Sequence, residues 1–249
     1  MSAAAAERAA VRRVRNGKRY SGLASHRTMV RRLSAVLDGA TADQWDAGMG
    51  WYARFAGLAD VLAERHGVSA EDGAAVLAIL SPQCSVGTSV MVADALLGAW
   101  SAGGSSAALA VRGVIGTNIV RAVAWLEGDR RATDLDVGEF TRARKVRSFF
   151  VNILGDPDAV TVDVWATRAV GGELDQPEGG GYVAVAEAYR SVARRYGIAP
   201  REAQAVAWCA VRTDIDAAAE LDALTAAVRS LPVPAVPSVW ADPSMASVV

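Results

Sequence analysis

Apolar residues along this chain recur three and four positions apart, and few segments alternate with the period of two that a half-buried strand needs. Thr41-Ala42-Asp43-Gln44 sets a capping hydroxyl three positions before a side chain that can reach back, which predicts a helix from there to about His66. Ser69-Ala70-Glu71-Asp72 is a second start signal and leads into the apolar run Ala74–Leu80. Pro82 breaks the chain, and Ser85 can cap a helix running to about Trp100. Gly103-Gly104-Ser105-Ser106 reads as a loop, followed after Gly116 by a short helix over Asn118–Leu126. A second loop, Glu127–Thr133, leads to the charged stretch Glu139–Arg147, and helical periodicity continues through Leu154 until Gly155-Asp156-Pro157 ends it. Thr161–Val170 reads as a turn into a short helix, and Gly171–Gly181 as a loop rich in glycine and acid. Helices over Tyr182–Tyr196, Pro200–Arg212 and Asp216–Ser230 close the pattern, with Pro200 suited to a first turn.

The expectation is an all-α fold of about eight to ten helices in one globule, with room for two lobes and a cleft. Residues 1–35 are expected as a basic arm, 36–231 as one helical domain and 232–249 as a flexible, proline-containing tail. No internal repeat has a solenoid period.

Composition changes this picture in four respects. Hydrophobic residues make up 52% of the 249, too many for a disordered chain. No window approaches the roughly 18–20 uninterrupted apolar residues of a membrane span, and no apolar stretch follows the basic N-terminus, so a soluble, cytoplasmic protein is expected. The net charge of −1 hides an asymmetry: residues 1–35 carry nine Arg or Lys against Glu7 alone. Such a segment suits phosphate contacts, and it equally suits a solvated terminus. Cys84 and Cys209 are too few for a disulfide framework or an iron–sulfur cluster, and with only His26 and His66 beside them neither a zinc site nor any cofactor is expected. Buried, inert thiols are the simpler reading.

Three segments, in order, resemble the base-excision DNA glycosylases of the helix–hairpin–helix superfamily. Ala78-Ile79-Leu80-Ser81-Pro82-Gln83-Cys84-Ser85 is similar to an apolar helix ending in the family's Ser-x-Gln turn. Gly116-Thr117-Asn118-Ile119-Val120-Arg121-Ala122 looks like the family's Gly-x-x-Asn-x-x-Ala helix before the hairpin. In the third segment, Lys145 stands where lyase-competent members carry a Schiff-base lysine, and Asp163, 18 residues on, stands where the family carries its catalytic aspartate. Arg168, five beyond the aspartate, also matches. The stretch covers about residues 74–170. Three departures stand out. The family's Gly-x-Gly hairpin is replaced by Thr141-Arg142-Ala143-Arg144-Lys145, so either the hairpin is remodelled or its phosphate contacts pass to arginines. Trp165 stands where many members have histidine, and no cysteine cluster follows. In these respects the chain resembles a phage-associated branch of glycosylase-like enzymes proposed to act on hypermodified thymine.

The resemblance implies a DNA-binding enzyme that flips a nucleotide and acts at the N-glycosidic bond of a normal or modified base. Asp163 would then be the carboxylate beside the developing sugar cation. The plainer alternative makes it a helix N-cap only. Lys145 would be a nucleophile at C1′ if its amine loses its proton; otherwise it is one more phosphate-binding cation among Arg142, Arg144 and Arg147. Those arginines read as a backbone clamp or as a solvated charged face. Asn118 and Arg168 complete the implied DNA-binding set. Gln83 fills the gap left by a flipped base or serves a polar loop. Trp165 stacks on an extruded base or belongs to the core. Trp45, Trp51, Trp100, Trp125 and Trp208 read as packing, as do Phe149 and Phe150. Two rivals remain, a non-catalytic DNA-binding module of the same fold and a helical interaction protein. Convergence of Asp163 and Lys145 would favour the enzyme; opposite faces would favour the last.

Overall fold

The computed structural model describes residues 3–129, 135, 144–173, 177, 179–212 and 216–230. Among them are α1 (Ala3–Arg15), α2 (His26–Gly39), α3 (Ala42–His66), α4 (Ala70–Leu80), α5 (Val86–Leu109), α6 (Gly116–Leu126), α7 (Arg144–Ile153), α8 (Val164–Ala169), α9 (Gly179–Tyr196), α10 (Pro200–Val211) and α11 (Ala217–Ser230). No strand occurs among the described residues, as the periodicity predicts. The described residues form two compact units, one from those of 1–54 and 134–220, the other from those of 55–133 and 221–249.

Most helix starts follow from capping chemistry. The Thr41 hydroxyl accepts from the Gln44 amide (3.2 Å) while the Thr41 amide donates to Gln44 Oε1 (2.9 Å). Ser69 and Asp72 form the same reciprocal box before α4. Asp72 also accepts from the indole of Trp125 (2.9 Å), fixing α6 to α4. Ser85 caps α5 through the Thr88 amide (3.0 Å). The loop expected at residues 103–106 shrinks to one position. Helical structure continues to Leu109, broken by Gly104 at φ +65° and ψ −155°, a conformation that excludes side chains by backbone sterics alone.

Each unit is organised around one helix buried on all sides. In the second unit, every residue of α4 from Gly73 to Leu80 is buried, with α5 and α6 packed against it. Apolar character all round a helix means burial all round it, and that is what the unbroken run Ala74–Leu80 encodes. In the first unit, α9 is buried without interruption from Gly181 to Tyr189, and α1, α2 and α10 pack on it. The helix α3 contributes to this unit through its first half, where a Cβ on Gly48 would overlap the backbone of Val206 in α10. Any larger residue there pushes the two helices apart.

The basic N-terminus is not a separate arm. The division expected at residue 35 falls inside α2, and α1 lies along α9 with Ala10 and Val14 buried. Met29, Val30, Leu33 and Leu37 make an apolar stripe on α2 that enters the same core. Two of the nine basic residues serve the fold directly. Arg15 donates through Nε (2.9 Å) and Nη2 (2.6 Å) to Glu187, whose side chain is 2% exposed, and Arg32 donates to the Gly171 carbonyl (2.9 Å). The tail expected at 232–249 lies outside the described residues. Trp51, Trp125, Trp208, Phe149 and Phe150 are buried, while Trp45 and Trp100 are half-buried. Burial pushes the Cys209 thiol up to about 11, so it stays protonated and unreactive at neutral pH.

Candidate active site around Asp163

Asp163 stands in extended conformation immediately before α8, and its Oδ1 accepts the Ala166 amide at 2.7 Å. The Thr167 hydroxyl donates to the Asp163 carbonyl at 2.8 Å. The aspartate is therefore an N-cap, as the plainer alternative has it. Capping occupies one carboxylate oxygen; among the described residues the other accepts no hydrogen bond, and the residue is only half-buried.

Three tyrosine hydroxyls hold the segment that carries this carboxylate. Tyr182 of α9 donates to the Val160 carbonyl (2.7 Å), accepts from the Val162 amide (3.2 Å) and lies 3.0 Å from Ser148 Oγ. Tyr52 of α3 donates to Gln204 Oε1 (2.5 Å) and lies 3.1 Å from Thr161 Oγ1, which accepts in turn from Asn152 (3.0 Å). Tyr189 donates to the Ala166 carbonyl (3.0 Å). Burial raises the pKa of all three phenols, and the Asp163 charge adds to the rise at Tyr52 and Tyr189. They stay neutral donors across the physiological range. A buried hydroxyl with its partners in place is rigid, because leaving any of them unpaired costs a full desolvation penalty. None of these tyrosines figures in the sequence-based site: no local motif links a phenol to backbone more than 20 residues away.

The same Tyr182 hydroxyl reaches the first turn of α7, 3.4 Å from the Arg144 carbonyl, and the Arg144 guanidinium lies 5.6 Å from the Tyr182 ring centroid. One phenol thus ties the turn that holds Arg144, Lys145 and Arg147 to the residues just before Asp163. Lys145 and Arg147 are half-buried, and Arg147 Nε is shielded from water with no hydrogen-bond partner among the described residues. Arg142 lies outside the described residues, as do Thr141 and Ala143 of the segment that resembles the hairpin.

Trp165 is neither a bare stacking platform nor a core residue. Arg168 and Arg212 place their guanidiniums over its ring, 4.8 and 5.4 Å from the centroid. Arg212 also lies 4.9 Å from Trp208, which packs at 4.8 Å on Trp51. Cations and rings alternate from the exposed Arg168 inward.

In the second unit, Gln83 is exposed at φ +59°, the one non-glycine residue with positive φ among those described. Cys84, whose thiol donates to the Leu80 carbonyl (3.1 Å), closes the turn beside it. A glutamine held in the left-handed region costs roughly 1 kcal/mol. Asn118, expected among the DNA-binding residues, is 5% exposed inside α6, and its amide nitrogen has no hydrogen-bond partner among the described residues. Among the described residues no three metal-ligating side chains converge, and no helix is long and apolar enough to cross a membrane.

No curated protein and no solved structure matches the chain. One family's sequence pattern does match, over residues 17–215, a span that takes in α2 through α10 and therefore Asp163, its three tyrosines and the α7 turn. The chain belongs to this family, which is described as Family of unknown function (DUF7178).

Proposed function

We propose that the chain is a DNA-binding enzyme that acts at the N-glycosidic bond of a flipped nucleotide, with Asp163 as its carboxylate. The observation that carries the reading is the division of labour at Asp163. One oxygen caps α8, the other is uncommitted, and three buried phenols keep the segment from moving. As the bond between C1′ and the base breaks, its electron pair leaves with the base and positive charge grows on the sugar. A fixed carboxylate stabilises that charge without reorganising. The sugar is then captured by water, which gives its proton to the departing base or to solvent, or by Lys145 Nζ. The cationic turn of α7 supplies contacts to the phosphates on either side.

The deciding measurement is mass spectrometry of nucleosides and free bases after incubating the protein with ordinary DNA and with DNA carrying phage-type modified thymines. Release of a base, or conversion of a modified one, supports the reading. Unchanged nucleosides in every substrate, together with tight DNA binding, favour a non-catalytic module in which Asp163 is a cap alone.

A lysine route has its own signature. If Lys145 captures C1′, borohydride reduces the resulting imine to a stable amine and cross-links protein to DNA at an abasic site. The expected result is a covalent adduct with the wild-type protein and none with Lys145→Gln. An active wild type that gives no adduct leaves water as the nucleophile and Lys145 as a phosphate contact.

A further inference from the structure

The proposed reaction leaves unused a second concave feature of the first unit. Between α2 and α9 a cavity of about 440 Å³ opens to solvent, lined by His26, Arg27, Val30, Arg31, Ser191 and Arg195. Three guanidiniums and no carboxylate face it. The acids that α2 and α9 themselves carry are Asp38 and Glu187, and both are engaged. Asp38 accepts from the Tyr196 hydroxyl (2.5 Å), and Glu187 is held by Arg15 with Arg194 approaching to 3.6 Å. Among the described residues Arg27, Arg31 and Arg195 make no ion pair.

The three arginines are exposed and carry like charge with no acid among them. Arg27 and Arg31 stand one turn apart on the same helix, a spacing at which like charges repel. Arg195 adds a third from the facing helix. The wall behind them is also incompletely satisfied. His26 Nε2 lies 3.2 Å from Ser191 Oγ, which accepts from Arg194 (3.1 Å), whereas His26 Nδ1 is shielded from water and has no partner among the described residues. Burial lowers the His26 pKa and outweighs the opposing pull of Glu187, while Arg15 and Arg194 lower it further. The imidazole therefore adds a neutral polar wall rather than a fourth cation.

We propose that this cavity binds a phosphate group carried on a larger molecule, gripped by Arg27, Arg31 and Arg195. Guanidinium forks match pairs of phosphate oxygens, and the non-bridging oxygens of a phosphate each accept from more than one donor, so several guanidiniums can share one group. The volume lies within the range of small-molecule pockets, so there is space beside the phosphate for what carries it. That carrier is either a DNA strand, through an internucleotide phosphate, or a free phosphorylated small molecule. The site does not involve Asp163 and stands whether or not the chain cleaves glycosidic bonds.

The test compares wild type with Arg27→Gln/Arg31→Gln, using Arg12→Gln/Arg13→Gln as a control. The control removes the same charge from exposed positions on α1. Inorganic phosphate, pyrophosphate and a short DNA duplex are each titrated by calorimetry, after circular dichroism has shown all three proteins folded. Expected is a loss of about tenfold or more in affinity for at least one probe in the pocket variant, well beyond the control. Loss confined to the duplex assigns the phosphate to a DNA strand, and loss for the free anions assigns it to a small molecule. If the pocket variant and the control match on all three probes, or the wild type binds none, the proposal is wrong.

Discussion

Asp163→Asn is expected to lower turnover by about a hundredfold or more while leaving the protein folded. Asparagine caps helix starts about as well as aspartate, and its Oδ1 can take the same Ala166 amide, so the change in stability should stay within about 1 kcal/mol. What disappears is the negative charge at the oxygen that capping leaves free. Loss of one fixed electrostatic group facing a transition-state charge is worth about 3 kcal/mol, which is the hundredfold in rate. Affinity for DNA should hold or rise, because a charge that repels phosphate has gone. The check is single-turnover kinetics with saturating DNA, paired with thermal melting. A folded variant with undiminished activity would remove Asp163 from the chemistry. One that melts far below the wild type would make the cap its whole role.

The second large effect concerns the other unit. Asp94, 4% exposed on α5, accepts on a single oxygen from Arg65 Nε (2.9 Å) and His66 Nε2 (2.7 Å) at the end of α3. All three side chains are at most 8% exposed. Asp94→Ala takes the anion from between a guanidinium and an imidazole that cannot reach bulk water without opening the helix packing. The expected loss is about 3–5 kcal/mol in urea unfolding. Asp46→Ala supplies the contrast. Its carboxylate is 83% exposed and 3.6 Å from Arg54, so the change should lie within about 0.5 kcal/mol of zero. A comparable, small shift for both variants would mean that Arg65 and His66 relax to solvent and that the buried cluster contributes little.

Local chemistry was the legible part of this chain. Thr41, Ser69, Ser85 and Pro200 announce their helices because a cap acts over three residues, and the structure places each of them at a helix start. Asp163 was legible as a cap, and the structure places it at the start of α8. The N-terminal helices were misjudged because their charge masks a stripe of Met29, Val30, Leu33 and Leu37 that is helical in its own right. The burial of Asn118 was not legible, because a motif records which residue is present and not whether it faces water. The tyrosines were invisible for a different reason: Tyr52 meets Gln204 across 152 positions, and nothing local specifies that pairing. Trp165 likewise gives no local sign that Arg212 will cover it.

The unbroken burial of α9 has a consequence for motion. A helix with one wet face can fray or open a turn at a time, since water takes over the backbone groups it releases. Between Gly181 and Tyr189 no such face exists, so a local opening there must breach the surrounding core as well. Tyr182 and Tyr189 both grow from this stretch, and together they fix the backbone on either side of Asp163. The carboxylate can therefore lose its footing only when the core around α9 gives way, even though it sits at the start of a six-residue helix that alone would be marginal.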